Sequence, residues 1–231
     1  MPEAWKIHTL VFDLDDTLYP EGDFVRSGFR AVDAWLNRHK RLPGFAAEAE
    51  RLFAAGHRGL IFDEVLASLG AAPSRSAVDE LVAVYRNHAP TLSMPMEAGE
   101  ILEWGRRLFR LALISDGFHA TQALKVEALG IRPLFSACIF TDELGREFWK
   151  PHPECFRRVM AQLPGPASGY VYVADNPRKD FIAPRALGWR TVRLRRPEGE
   201  HHLYEASVAE AADVEISSLR ELPGLIEQVK A

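Results

Sequence analysis

The sequence predicts an α/β protein in which a parallel sheet has helices on both faces, together with an inserted all-helical segment. Three apolar runs, Ile7–Phe12, Leu111–Ile114 and Tyr170–Ala174, have the continuous hydrophobicity of strands that are buried on both faces. From residue 97 onwards, strand-like runs alternate with stretches of helical spacing, and this alternation is typical of a parallel sheet. Residues 21–91 show helical spacing without convincing strands.

The individual elements follow in order along the chain. After the first strand, the insert contains helical stretches at Phe29–Leu36, Leu60–Leu69 and Val78–Tyr85, the last with a capping box at Ser76 and Asp79. The later part then predicts a helix to Leu108, a strand at Leu111, a helix His119–Leu129, a strand Ala137–Phe140 and a helix Glu154–Gln162. Two further strands, at Tyr170 and Thr191, lie on either side of a helix that Pro184 interrupts. A last strand and helix begin at Val214. We therefore expect a core domain formed by residues 1–20 and 92–231, and a helical domain formed by residues 21–91.

The composition is that of an ordinary soluble globular protein. The chain has 231 residues, of which 47% are hydrophobic and 26% charged, enough for one substantial core or a core with a small second domain. Its net charge of −4 argues against a nucleic-acid surface that works by charge alone. No apolar run approaches the roughly 20 residues that span a bilayer, and two cysteines form no disulfide framework. We expect a cytoplasmic protein that binds neither nucleic acid nor membrane, and the sequence predicts no oligomeric state.

Three carboxylates follow the first predicted strand. Asp13, Asp15 and Asp16 come directly after the apolar run, and ligands bind outside the carboxyl ends of the strands in open α/β sheets. Clustered carboxylates repel one another unless a cation, a proton or solvent relieves the repulsion. A hard divalent ion with oxygen ligands, Mg²⁺ in particular, is the simplest occupant. The alternative interpretation is a solvated acidic turn.

Polar residues also follow the next two apolar runs. Ser115 ends the second run, and Asp175 follows the third with Asp180 five residues later. Between them the basic residue Lys150 precedes Pro151. The ordered set DxDxT, strand-end Ser, Lys-Pro and Asp-x4-Asp resembles the haloacid dehalogenase (HAD) superfamily of hydrolases, from Ile7 to about Leu194.

This resemblance implies a Rossmann-like core with a C1-type helical cap, and Mg²⁺ as the cofactor. Asp13 is implied to be both nucleophile and metal ligand. Asp15 is implied to be the general acid and base, with its backbone carbonyl on the metal. Asp175 is implied to be a direct metal ligand, supported by Asn176 and by Asp180, which orients metal-bound water or the lysine.

The same resemblance implies a phosphate-binding site that includes Thr17, Ser115, Asp116, Gly117 and Lys150. Ser115 would donate a hydrogen bond to the phosphoryl oxygens, and Lys150 would offset negative charge. Asp116 stands where family members often carry Asn. A carboxylate beside a phosphate is repulsive, so we expect that side chain to face away.

Structural interpretations stand beside the functional ones. Ser115 can cap the helix near His119, and Asp180 can interact with a helix N-terminus. Asp16 is expected to be a loop carboxylate outside the metal's ligands. The pair His201-His202 and the arginines between residues 190 and 196 are expected to be solvated.

Together the motifs predict a Mg²⁺-dependent phosphatase that acts on a small phosphorylated metabolite through an aspartyl-phosphate. A helical lid over a strand-end site would exclude water and favour a small substrate. One alternative is a haloacid dehalogenase, against which Asp15 argues. A phosphoglucomutase-like phosphotransferase shares every motif, and a non-catalytic phosphate- or metal-binding regulator is a third possibility.

Overall fold

Six parallel strands form one sheet in the order β3-β2-β1-β4-β5-β6. This is a computed structural model that describes residues 6–228. The strands are β1 (Thr9–Phe12), β2 (Arg110–Ser115), β3 (Ala137–Phe140), β4 (Tyr170–Ala174), β5 (Arg190–Leu194) and β6 (Val214–Ile216). All neighbouring strands in this sheet pair in parallel. The predicted α/β fold class is therefore confirmed, with the strand order of a Rossmann-like sheet.

The helices connect these strands and form the insert. They are α1 (Glu21–Lys40), α2 (Phe45–Ala54), α3 (Ile61–Ser68), α4 (Arg75–Asn87), α5 (Met96–Leu108), α6 (His119–Ala128), α7 (Glu154–Gln162), α8 (Ile182–Ala186) and α9 (Leu222–Gln228). The capping box predicted at Ser76 is wrong. The helix α4 begins earlier because Ser74 has an extended backbone and its Oγ accepts the Ala77 N–H at 3.2 Å.

The apolar runs of the sequence form the centre of the sheet. Every residue of β1 and β4 is buried, as expected for strands that are covered on both faces. The ladder between them continues past the strand, because the Asp13 N–H donates to the Val173 carbonyl at 3.0 Å. The backbone that carries Asp13 is thus held in register with the strand that leads to Asp175.

The chain divides into two compact units. One contains the sheet and comprises the chain up to Pro20, Ser93–Gln122 and the chain from Leu129 onwards; the other comprises Glu21–Leu92 and Ala123–Ala128. The second unit is helical and has its own apolar core around Phe29, Phe45 and Leu81. Its identity as a C1-type cap domain stays a prediction.

Both cysteines are unpaired thiols. Burial raises the pKa of Cys138 to about 11 and the pKa of Cys155 to about 12, so each stays protonated and behaves as a small hydrophobic side chain. Among the helices in residues 6–228, none has the length and apolar character needed to span a bilayer.

Candidate active site

The candidate site lies at the carboxyl ends of three adjacent strands. Asp13 follows β1, Ser115 is the last residue of β2, and Asp175 follows β4. The sheet order places β1 between the other two strands. Because parallel strands end at the same edge of a sheet, residues about 100 and 160 positions apart in sequence are brought together there.

The loop after β1 is held by its own apolar residues. Leu14 and Leu18 are fully buried, and the Leu18 N–H donates to the Leu14 carbonyl at 2.9 Å. Between them Asp16 has a φ of 54°, in the left-handed region that aspartate tolerates better than most residues. This tight turn fixes the direction in which Asp15 leaves the strand.

Both carboxylate oxygens of Asp15 accept hydrogen bonds. The Tyr19 hydroxyl donates to Oδ1 at 2.5 Å, and Gln122 Nε2, from α6, donates to Oδ2 at 2.8 Å. Gln122 also donates to the Asp116 carbonyl. Gly117 allows this approach, because its φ is +121° and a Cβ there would lie 2.8 Å from Gln122 Nε2. Donors on both oxygens restrict the carboxylate to one orientation.

Lys150 is the buried centre of the site. Its Nζ donates hydrogen bonds to Asp13 Oδ1 at 2.6 Å, to Asp180 Oδ1 at 2.7 Å and to the Tyr172 hydroxyl at 3.0 Å. The side chains of Lys150 and Asp180 are fully buried. Burial lowers the pKa of Lys150, but the carboxylates of Asp13 and Asp180 outweigh it, so the net pKa is well above its usual value. The ammonium is therefore charged at every physiological pH.

Tyr172 completes this buried group. Its hydroxyl accepts from Lys150 and donates to Asp180 Oδ1 at 3.2 Å. Burial, with the neighbouring carboxylate of Asp180, raises the pKa of the phenol well above its usual value. A neutral hydroxyl thus bridges Lys150 and Asp180 and restricts the positions of both side chains.

The site fits a divalent cation with oxygen ligands. Carboxylate oxygens of Asp13, Asp175 and Asp180 lie within 4.8 Å of one another. Burial is the largest cause that raises the pKa of Asp13 to about 6, and it also raises the pKa of Asp175 well above its usual value. The negative charges of Asp180 and Asp13 add to the rise at Asp175. Neighbouring buried carboxylates that raise one another's pKa form the arrangement that a cation stabilises.

Asp180 plays a different part from Asp175. Its Oδ1 accepts from Lys150 and Tyr172, and its Oδ2 accepts the Asn176 N–H at 3.1 Å. The Asn176 side chain accepts the Arg178 N–H at 3.1 Å and so closes the turn that leads to Asp180. Asp180 therefore contacts both the lysine and the loop, and the supporting role that the sequence predicts for it stays a prediction.

Two hydroxyl groups in the site are buried without partners. Neither Thr17 Oγ1 nor Ser115 Oγ has a hydrogen-bond partner in the part of the chain that the structure describes. Both residues are buried, at 0% and 1% exposure. An unpaired buried hydroxyl is unfavourable, so each is suited to a polar ligand that enters the site.

Asp116 is surrounded by donors. Its Oδ1 accepts the Thr141 hydroxyl at 2.8 Å and the Lys150 N–H at 3.2 Å, and its Oδ2 accepts Lys179 Nζ at 3.1 Å. Burial raises the pKa of Asp116, but the nearby Lys150 and Lys179 with these hydrogen bonds outweigh it and lower the pKa. The carboxyl is thus ionised, and the orientation expected for it relative to a bound phosphate stays a prediction.

Reasoning from the sequence missed five residues that position the site, namely Tyr19, Gln122, Tyr172, Lys179 and Arg196. Arg196 follows β5, and the strand-end argument applied to that strand would have found it. The expectation of a solvated arginine edge is wrong for Arg193, which is 1% exposed, and for Arg196, whose side chain is 16% exposed. Both are covered because their guanidinium groups bond to backbone carbonyls and to acidic partners.

The family profile for haloacid dehalogenase-like hydrolases matches residues 7–188. The chain belongs to this family. It is 28% identical over 231 residues to "Glyceraldehyde 3-phosphate phosphatase" of Methanocaldococcus jannaschii, covering 97% of this chain and 99% of the relative. It is 30% identical over 207 residues to "Phosphoserine phosphatase" of Thermus thermophilus, covering 88% and 77%.

The fold of this HAD hydrolase is also that of solved structures. The magnesium-bound YfnB of Bacillus subtilis superposes with a TM-score of 0.67 at 18% identity, over 96% of this chain and 99% of that one. At this identity the likeness concerns the fold. The predicted membership of the HAD superfamily is therefore confirmed by the sequence comparisons and agrees with the sheet described above.

Proposed function

We propose that this HAD hydrolase is a Mg²⁺-dependent phosphatase that hydrolyses a small phosphorylated metabolite in the cytoplasm. The observation that carries the proposal is the contact of Asp13, at the end of β1, with the buried ammonium of Lys150 at 2.6 Å. A carboxylate next to a fixed positive charge and two unpaired hydroxyls is suited to attack and hold a phosphoryl group. Relatives along most of the chain carry phosphatase names.

The proposed reaction has two steps, in which Asp13 is the nucleophile and Asp15 transfers protons. In the first, an Asp13 oxygen forms a bond to phosphorus while the ester P–O bond breaks, and the Asp15 carboxylic acid gives its proton to the leaving oxygen. In the second, the Asp15 carboxylate takes a proton from a water molecule, which attacks phosphorus and releases inorganic phosphate. Asp13 is then regenerated as a carboxylate.

The other residues hold the phosphoryl group and its charge. Lys150 offsets the negative charge that gathers between Asp13 and the phosphoryl oxygens, and Tyr172 and Asp180 keep its ammonium in place. The hydroxyls of Ser115 and Thr17 donate hydrogen bonds to the phosphoryl oxygens, with Gly117 beside them. Because the Lys150 ammonium is buried and already oriented by Tyr172 and Asp180, it needs little reorganisation during the reaction.

The carboxylates of Asp13 and Asp175 and the backbone carbonyl of Asp15 would hold the Mg²⁺. When bound, the ion supplies positive charge that stabilises the negative charge of the transferring phosphoryl group. Asp180 and Asn176 support this site through the loop that they close. The helical unit is proposed to be a C1-type cap that governs access for the substrate.

The test is hydrolysis of p-nitrophenyl phosphate by the purified protein, followed by a panel of sugar, nucleotide and carboxylic-acid phosphates. Activity should disappear with a chelator and return with Mg²⁺. The matched control is Asp142→Asn, an acidic residue outside the proposed metal ligands, which should retain metal-dependent turnover. Full activity without metal, or no hydrolysis of any phosphate in the presence of Mg²⁺, would refute the proposal.

The alternatives differ from this function in their products. A haloacid dehalogenase would release halide from a 2-haloacid, whereas a phosphotransferase would form a bisphosphate from a sugar phosphate. A binding regulator would take up phosphate or metal without turnover. Halide release, bisphosphate formation and inorganic phosphate release can be measured on one preparation, and we expect inorganic phosphate.

A further inference from the structure

We propose that Asp116 and Lys179 form a charge-compensating pair, in which Lys179 neutralises Asp116 and thereby allows a phosphate dianion to bind in the site. The inference rests on the proposed phosphatase function and deepens it. It concerns Asp116, which places an additional carboxylate directly after the strand-end Ser115.

Asp116 is fixed in the site and cannot move its charge away into solvent. Its side chain is 8% exposed, and its Oδ1 is held by the Thr141 hydroxyl and by the Lys150 N–H. The second of these donors belongs to the backbone of the residue that contacts Asp13. The Asp116 carboxylate is therefore tied to the same loop that carries the buried ammonium.

Lys179 reaches the other oxygen of this carboxylate. Its Nζ lies 3.1 Å from Asp116 Oδ2, and its side chain is 32% exposed. Burial and the neighbouring Lys150 lower the pKa of Lys179, but carboxylates that include Asp180 and Asp13 outweigh both and raise it. The ammonium is thus charged and lies among the groups of the site.

The charge balance of the site shows why this pairing matters. Carboxyl groups outnumber ammonium groups five to two in the set Asp13, Asp15, Asp116, Asp175, Asp180, Lys150 and Lys179. Removing Lys179 would leave one ammonium against the same carboxylates. In a partly buried site an uncompensated charge near the phosphate repels it strongly, so loss of the lysine should weaken phosphate binding through Asp116.

The test is a double-mutant cycle with Asp116→Asn, Lys179→Met and the two combined. Asn retains an oxygen that can accept from Thr141 and Lys150, so the loops keep their hydrogen bonds. For Lys179→Met we expect the inhibition constant of inorganic phosphate and the KM for p-nitrophenyl phosphate to rise about 10- to 100-fold, with a smaller change in kcat. The double variant should return to within about threefold of the wild type, because both charges of the pair are gone.

Two further variants separate compensation from a structural role. Lys179→Arg keeps the positive charge and should stay within about threefold of the wild-type inhibition constant. Arg157→Met removes one exposed positive charge from α7 and should leave phosphate inhibition unchanged. Thermal unfolding of each variant reports whether a change in KM reflects loss of folded protein.

The outcome distinguishes this inference from the proposed function. If the wild type hydrolyses no phosphate ester with Mg²⁺, the proposed function is wrong. If the wild type is active but the double variant is as impaired as Lys179→Met, Lys179 acts on the phosphate independently of Asp116 and the pairing is refuted. An unchanged inhibition constant in Lys179→Met would refute it as well.

Discussion

At the scale of single residues, the properties of the site follow from one buried ammonium group. The Lys150 side chain has no access to water, and the contacting carboxylates of Asp13 and Asp180 favour its charged form. The three side chains are therefore interdependent, since removing one partner leaves an uncompensated buried charge. Tyr172, from the middle of β4, belongs to this group because its hydroxyl contacts both Lys150 and Asp180.

The first prediction concerns that phenol. Tyr172→Phe removes an acceptor of Lys150 and a donor to Asp180, and we expect kcat to fall about tenfold, the size of one hydrogen bond to a charged group. The matched control is Tyr170→Phe on the same strand, whose hydroxyl donates to the Leu163 carbonyl. It should lower stability by about 1 kcal/mol and leave kcat unchanged. Equal kcat values in the two variants would show that Tyr172 has only a packing role.

The second prediction separates the two acids that begin the motif. Asp13→Asn removes the nucleophile, so no aspartyl-phosphate can form. Asp15→Asn keeps the nucleophile and loses the base that activates water, so breakdown of the intermediate should slow by roughly 10²–10⁴-fold. With an aryl phosphate, whose leaving group hardly needs a proton, phosphoenzyme should accumulate in the Asp15 variant alone. Acid-quenched mass spectrometry of the peptide with residues 7–26 measures it, and a phosphoryl group on Ser115 instead would contradict the mechanism.

The third prediction follows from the raised pKa of Asp13. Burial outweighs the effect of Lys150 and raises this pKa from 3.8 to about 6, so between these values the folded protein binds more protons than the unfolded chain. In metal-free protein Asp13 should then contribute less stability as the pH rises through this range, a loss from this group of about 3 kcal/mol at about 1.4 kcal/mol for each pH unit of the shift. Asp175 shifts in the same direction.

Because Mg²⁺ prefers ionised carboxylates, its stabilising effect should increase over the same range of pH. Calorimetry with and without saturating Mg²⁺ should show a larger rise in Tm near pH 7.5 than near pH 5. The Asp175→Asn variant, which removes one of the carboxylates, serves as the control and should flatten this dependence. A Mg²⁺ effect of equal size at both pH values would show that these carboxyls do not bind the ion.

At the scale of elements, the loop after β1 depends on a clamp formed by Arg196, two residues after β5. Arg196 Nη1 lies 3.3 Å from the Asp16 carbonyl and 3.3 Å from the Thr17 carbonyl, and its Nη2 donates to Glu97 Oε1 at 2.7 Å. Glu97 lies in the first turn of α5 and also accepts from Ser218. Arg196, itself held by Glu97 of α5, thus holds the turn in which Asp16 has a positive φ.

The fourth prediction tests this clamp. Arg196→Met should loosen the turn around Asp15 and lower kcat about tenfold, because small displacements of catalytic groups have large effects on rate. Arg195→Met is the matched control, since the Arg195 guanidinium bonds to His202, Glu205 and Glu215 rather than to the β1 loop. We expect it to retain kcat. If both variants lose activity equally, the effect comes from β5 in general and the clamp is not specific.

The same elements show what could be predicted from sequence. The sequence predicts Asp13, Ser115 and Asp175 correctly as strand-end residues, because buried strands are continuous apolar runs whose ends can be recognised. That they form the functional site stays a prediction. Gln122 could not be predicted this way, since a helical glutamine looks like any solvated residue until the fold brings it to Asp15. Tyr172 was hidden for a related reason: inside an apolar run an aromatic residue indicates packing, and only the position of Lys150 gives its hydroxyl a partner.

At the scale of the whole molecule, the chain combines two units with separate cores. The sheet unit packs Phe156, Tyr170 and Trp189 against the strands, while the helical unit packs Phe29, Phe45 and Leu81 among its own helices. A unit with its own core can change position without unfolding. The chain enters and leaves the Glu21–Leu92 part of the helical unit near residues 19–22 and 90–95, segments that contain prolines and a glycine and are the proposed hinges.

The fifth prediction concerns motion about these connections. Spin labels at Arg75→Cys in the helical unit and Arg157→Cys in the sheet unit, with Cys138 and Cys155 replaced, should report a broad distance distribution in the metal-free protein. With Mg²⁺ and a phosphate analogue such as orthovanadate, we expect a narrower distribution, because a ligand that binds one arrangement better shifts the population toward it. Closure would exclude water from the phosphoryl group and strengthen the interactions of Lys150 and Ser115.

The control is a label pair within the sheet unit, at Arg157→Cys and Val208→Cys, whose distance distribution should not change. If the distribution between the units stays the same with the analogue bound, the helical unit is no mobile cap, and the preference for small substrates must come from the sheet unit alone.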